Sequence, residues 1–141
     1  MKKNNRGFTL IELLVVIGII TILASAVIIA INPGEHFRQA RNATRWSHMN
    51  ASMSAVYSYV VAHAGAFPPC IPATGEANLS VCASDLSPRF ISALPRDPQE
   101  TDTNDIRYKI GYEIDTVTRT RRVKISSNAP EAVVDNVKIV Q

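Results

Sequence analysis

One carboxylate stands inside the most apolar stretch of the chain. Residues 8–31 (FTLIELLVVIGIITILASAVIIAI) are interrupted only by Thr9, Glu12, Gly18, Thr21 and Ser25. An acid at the centre of a bilayer costs roughly 2.5–3.5 kcal/mol even on lenient insertion scales, so an intramembrane glutamate calls for a partner. The other residues able to do chemistry are few. Cys70 and Cys82 are the only cysteines. Asp97, Glu100, Asp102, Asn104 and Asp105 offer oxygen ligands of the kind calcium takes, at a spacing that is not an EF-hand loop. His36, His48 and His63 stand apart from the cysteines, and there is no HExxH, GxSxG or phosphate loop. The residues therefore describe a structural or binding protein and not an enzyme.

The elements that position Glu12 follow from hydropathy. As a helix, residues 8–31 would be about 36 Å long, enough to cross ~30 Å of hydrocarbon once. The net charge of +3 comes from Lys2, Lys3 and Arg6, which precede the span with no acid among them. They orient the span with its N-terminus in the cytoplasm and are no sign of nucleic acid. The remainder then lies outside, where an even cysteine count suggests one bridge, two free thiols being the alternative. A secretory signal peptide explains the basic start and the small residues Ala24-Ser25-Ala26, but leaves Glu12 and the apolar residues 27–31 without a reason. A plain single-span anchor also leaves Glu12 unexplained.

The order of features, a short basic leader, then Gly7, Phe8, Thr9, Leu10, Ile11, Glu12, Leu13 and Leu14, resembles the class III signal of type IV pilins and of the pseudopilins of type II secretion systems. The resemblance implies a membrane peptidase that cuts after Gly7, methylates the new N-terminus at Phe8, and leaves the apolar run in place. It implies that Glu12 pairs with the Phe8 amine of a neighbouring subunit. Desolvation gives that pairing its force: buried ammonium and buried carboxylate are each costly unless paired, so a misregistered subunit is penalised. The partners implied are a homopolymer, the prepilin peptidase, an assembly ATPase acting through a platform membrane protein, and other, minor pilins. The location implied is the inner membrane for the precursor and a periplasmic or extracellular filament after assembly.

Beyond the span, Asn32-Pro33-Gly34 predicts a kink. Residues 35–64 are helix-compatible, with Trp46, Met49, Met53, Val56 and Val60 as an apolar stripe, Tyr57 at its margin, expected to carry the globular core. The opposite face reads Ala40, Thr44, Ser47, Ala51, Ser54, Ser58 and Ala62, and residues 46–75 contain no Asp, Glu, Lys or Arg. Small residues at this spacing let helices approach closely, as inside a filament; the alternative is a merely solvated surface. Arg38, Arg41 and Arg45, continued by His48, form a basic edge for lipid phosphate or neighbouring acids.

Residues 65–104 hold six of the eight prolines and read as an irregular connection with one helical turn near Leu86, stapled by a Cys70–Cys82 bridge worth about 3 kcal/mol. Residues 106–115 alternate Ile106, Tyr108, Ile110, Tyr112, Ile114 with polar neighbours, predicting a half-buried strand. Residues 121–126 supply a second strand across a tight Thr116-Val117-Thr118 connection, and residues 133–140 a third. Glu113 and Asp115 are placed to oppose Arg122 and Lys124 across the first pair.

The expected fold is α+β: a long N-terminal helix, its first half membrane-spanning, packed on a small antiparallel sheet, a layout similar to that of pilins. The segments are a leader (1–7), a transmembrane or filament-core helix (8–31), the second half of the helix (32–64), an irregular loop (65–105) and the sheet (106–141). Both cysteines precede the strands, unlike those of many type IV pilins. LPRDPQETDTND is similar to the Leu-Pro-x-Asp-Pro segment of major pseudopilins, some of which hold calcium, which makes Asp97, Asp102 and Asp105 calcium candidates. The expected function is a filament subunit. The rival is an anchored extracellular binding module that never polymerises, with Arg119, Arg121, Arg122 and Lys124 as a basic hairpin able to touch DNA.

Overall fold

The computed structural model describes residues 7–102, 105–116 and 118–141. Lys2, Lys3 and Arg6 of the leader, Asn104 of the acidic loop and Val117 of the hairpin connection lie outside them. The chain divides into a unit ending at Phe37 and a unit Arg38–Gln141.

In the first unit, α1 spans Leu10–Ile31 and buries none of its residues. Its 22 residues are long and apolar enough to cross a membrane. Thr9 caps the start, so Phe8 and Thr9 stand outside the helix proper. Thr21 and Ser25 do not leave their hydroxyls unsatisfied: Thr21 Oγ1 donates to the carbonyls of Ile17 and Gly18, and Ser25 Oγ to that of Thr21, each at 2.8 Å. The interruption expected at residues 32–34 is a single residue. Asn32 takes a left-handed conformation (φ 48°), which Asn tolerates better than other side chains. Pro33 then opens the next helix, where its missing N–H is no loss.

α2 runs Pro33–Ala62. Gly65, at φ 92°, closes its end by donating its amide to the Val60 carbonyl at 2.9 Å. In the unit Arg38–Gln141, Met49, Met53 and Val56 of this helix pack in one core with Tyr108, Ile110, Val123 and Ile125. The stripe departs from the expected one at Trp46, which is 41% exposed. The buried face instead runs through Asn42, Arg45, Met49, Ser52, Met53 and Val56, and at 3.6 residues per turn Trp46 falls to its edge.

The sheet is antiparallel with four strands, in the order β1 (Glu76–Asn78), β2 (Tyr108–Ile114), β3 (Arg121–Ser127) and β4 (Lys138–Val140). β2 (Tyr108–Ile114) and β3 (Arg121–Ser127) form the central hairpin, with Ile110 opposite Ile125 and Glu113 opposite Arg122. The connection is longer than the tight turn expected: Asp115 and Thr120 still pair (3.0 Å), and Arg119 takes a left-handed conformation to close it. Ile114, expected inside, is 62% exposed because the alternation outlasts the core beneath it.

Two further strands correct the reading of their segments. β1 (Glu76–Asn78) lies in the stretch read as irregular and pairs with β2. It approaches so closely that a Cβ on Gly111 would meet the Gly75 carbonyl oxygen at 2.4 Å, so a glycine is required there. The segment expected as a third strand at residues 133–140 is instead a helical turn, α4 (Pro130–Val134), followed by a shorter strand β4 (Lys138–Val140). Pro130 at the start of the turn favours helix over strand. Between β1 and β2 lie a 3-10 turn (Leu79–Cys82) and α3 (Ala83–Leu86), the helical turn expected near Leu86.

Candidate processing and assembly site

The N-terminal segment presents Gly7 and Phe8 before the helix begins, and the Phe8 side chain is 84% exposed. Among the described residues, and apart from its chain neighbours, no atom lies within 4 Å of the point where a Cβ on Gly7 would stand. Four residues after Phe8, Glu12 is engaged by its own helix start. Its Oε2 accepts from the Thr9 amide at 2.8 Å and from the Thr9 hydroxyl at 2.7 Å, and its amide donates back to Thr9 Oγ1 at 3.3 Å. This is a capping box, which satisfies orphan amides at a helix N-terminus. The Thr9-x-x-Glu12 spacing is its signature and was readable in the sequence. Glu12 thus has a satisfied conformation within one chain.

On α2, Ala40, Thr44, Ser47, Ala51, Ser54, Ser58 and Ala62 are all exposed. Three of their hydroxyls are turned inward on the helix. Thr44 Oγ1 donates to the Ala40 carbonyl (3.1 Å), Ser54 Oγ to that of Asn50 (2.9 Å) and Ser58 Oγ to that of Ser54 (2.8 Å). The surface is therefore small, uncharged and already hydrogen-bonded, so covering it strands none of these three hydroxyl protons.

The basic edge faces neighbouring acids of the same chain. Arg45, fully buried, donates Nε to Asp97 Oδ2 at 2.6 Å and Nη2 to Asp97 Oδ1 at 3.0 Å, a bidentate pair. It also reaches Glu131 Oε2 (3.0 Å), Asn42 Oδ1 (2.6 Å) and Gln99 Oε1 (2.9 Å). Arg41 Nε donates to Glu131 Oε2 at 2.9 Å, and Arg38 pairs with Asp135. Burial pushes the Asp97 carboxyl up, but the Arg45 bonds, the Gln99 amide and the Arg45 charge outweigh it and hold the group below its usual range. Glu131, bonded by Arg41 and then Arg45, is held down to about 2. The Arg45 guanidinium is stabilised in its charged form by the Asp97 bond. His48 Nδ1 meets the buried Tyr108 hydroxyl at 3.0 Å, and burial raises the Tyr108 pKa, with the Asp97 charge adding to it. The sequence shows these arginines as a basic edge and Asp97 as a calcium candidate; Arg45 is instead buried against Asp97 and Glu131, partners 52 and 86 positions away that carry no local signal.

Cys70 and Cys82 are joined by a disulfide, Cα–Cα 5.1 Å. Of the calcium candidates, Asp97 faces Arg45 while Asp105 accepts from Asn78. Among the described residues no three His, Cys, Asp or Glu side chains gather where an ion could sit. On the basic hairpin, Arg121 lies over the Tyr112 ring (4.8 Å), Arg122 is 3.7 Å from Asp115, and Lys124 pairs with Glu76.

Comparison with protein-family models matches residues 2–28 to the prokaryotic N-terminal methylation motif. No curated protein and no solved structure matches the chain.

Proposed function

We propose that this chain, whose residues 2–28 match the prokaryotic N-terminal methylation motif found at the start of type IV pilins and pseudopilins, is a structural subunit cleaved after Gly7, methylated on Phe8 and polymerised into a helical filament. The motif and the apolar α1 are those of a membrane-anchored precursor of the type IV pilin kind, processed by a prepilin peptidase. They speak for a structural subunit rather than an enzyme. The observation that carries polymerisation is α1 itself: a predominantly apolar helix of 22 residues of which none is buried in the chain. Lipid covers such a helix during storage, and on leaving the membrane only other apolar helices can replace that cover. The small face of α2 extends the same logic beyond the span, since a tightly packed bundle needs small, uncharged contacts.

In this reading Glu12 exchanges its capping bonds for the ammonium of a neighbour's Phe8, and that exchange sets the axial stagger. An assembly ATPase, a platform membrane protein and other pilins complete the machinery, which adds subunits at the inner membrane. The decisive measurement is intact mass with N-terminal sequencing of the membrane and sheared-filament fractions. Methylated Phe8 as first residue in both supports the proposal. A filament-free cell whose protein starts at Met1 or Val27 overturns it.

A further inference from the structure

A helix running unbroken through the start of the span would tie the Ile11 amide to the Gly7 carbonyl and the Glu12 amide to the Phe8 carbonyl. Residue 9 prevents both. The Leu13 amide donates to the Thr9 carbonyl at 3.3 Å, which opens α1 at Leu10. The Glu12 amide is taken by Thr9 Oγ1, also at 3.3 Å. Thr9 is itself extended (φ −84°, ψ 151°), and Gly7 and Phe8 before it are not helical. The hydroxyl of Thr9 thus intercepts the very amide that would otherwise bond the Phe8 carbonyl.

On the reading that the chain is cleaved after Gly7, we propose that Thr9 is a positioning residue for that cleavage: it stops the helix two residues short of the Gly7–Phe8 bond and keeps that bond open to the peptidase. Hydrolysis adds one water across the bond, leaving a carboxylate on Gly7 and an ammonium on Phe8. The attack needs a free face on the Gly7 carbonyl carbon and donors for its oxygen as charge develops there. In a continuous helix that oxygen is already committed to the Ile11 amide. Fraying does not relieve a lost cap here. α1 is apolar and unburied, so its first-turn amides are satisfied by more helix and not by lipid. Without the Thr9 cap the helix grows backward over Phe8 and Gly7. The Glu12 side chain is not needed for this stop, because the bond to Thr9 Oγ1 comes from the Glu12 backbone and survives Glu12→Leu.

The test measures cleavage of the full-length precursor in detergent by a purified prepilin peptidase, over a range of precursor concentrations, with the product starting at Phe8 read by mass. Wild type is compared with Thr9→Ser, Thr9→Asn and Thr9→Val. Ser and Asn are good caps, whereas Val has the shape of Thr without its acceptor. Ser and Asn are therefore expected to match wild type. Val is expected to raise KM severalfold at unchanged kcat, because only the open fraction of the precursor is bound; about fivefold is the ceiling set by a typical cap. Wild-type kinetics for Thr9→Val overturn the proposal. So does a larger loss for Thr9→Asn than for Thr9→Val, which would mean that the peptidase reads the threonine side chain directly. A wild-type precursor left uncut after Gly7 overturns the prepilin reading itself, and the proposal with it.

Discussion

Arg45 and Asp97, 52 positions apart, form a bidentate ion pair with neither side chain exposed to solvent. Breaking such a pair from one side leaves an uncompensated buried charge, which typically costs about 3–5 kcal/mol. Arg45→Met and Asp97→Leu are therefore each expected to be strongly destabilising, and the double variant less so than their sum. Urea unfolding of the four proteins in detergent measures the coupling; simple additivity would mean that the two residues act independently.

Glu131 gives the unit an acid limit. Its carboxyl titrates at about 2 in the folded chain against an ordinary 4.5, so its contribution is complete above pH 4.5 and is lost as pH falls through about 2. Asp97 moves in the same direction. The difference in melting temperature between wild type and Glu131→Gln should be constant above pH 4.5 and shrink steadily below it. A difference that grows on acidification would contradict the assignment.

Glu12 has one observed role, capping, and one proposed role, pairing, and substitution can separate them. Gln at this position keeps the capping pattern and loses the charge, whereas Leu loses both. If charge pairing with a neighbour's Phe8 amine sets register, both Glu12→Gln and Glu12→Leu should insert, be cleaved after Gly7, and fail to build filaments. Wild-type filament yield from Glu12→Gln, at equal subunit level, would leave capping as the whole role of Glu12.

Ala51 and Ser54 are exposed in the single chain. Ala51→Glu and Ser54→Glu should therefore leave the melting temperature within a degree or two, as surface substitutions usually do, while stopping assembly by burying an unpartnered charge. Normal filaments from both would show the face to be solvated.

Among the described residues, a Cβ at Gly7 meets no atom within 4 Å beyond its chain neighbours, so the first carbon of Gly7→Leu finds open space. Processing should nonetheless fail, because the peptidase must seat a small side chain beside the scissile bond. Accumulation of the uncut precursor on gels is the expected result, and mature protein of normal length the contrary one.

The sequence was legible where function and local pattern coincide. Gly7, Phe8 and Glu12 announce the leader by order alone, and the alternation through Ile106, Tyr108 and Ile110 announces β2. Trp46 fits the apolar period of α2, but the buried face contains Asn42, Arg45 and Ser52, whose burial rests on partners outside the helix. β1 carries no sequence signal because its three residues, Glu76-Ala77-Asn78, have little strand propensity and are held by pairing to β2 beside Gly111. The small face of α2 was visible as composition, but the inward turn of the Thr44, Ser54 and Ser58 hydroxyls is a rotamer property that no spacing encodes.

The Arg45 cluster also sets an order of events. A ribosome makes Arg45 first, its partner Asp97 after 52 further residues and Glu131 after 86. Until Glu131 exists, closing α2 onto the sheet would trap a guanidinium with part of its ligand set missing, an arrangement water readily outcompetes. A chain cut before α4 keeps the Arg45–Asp97 pair but lacks the Glu131 carboxylate that both Arg41 and Arg45 share, so it is expected to hold α2 to the sheet less firmly.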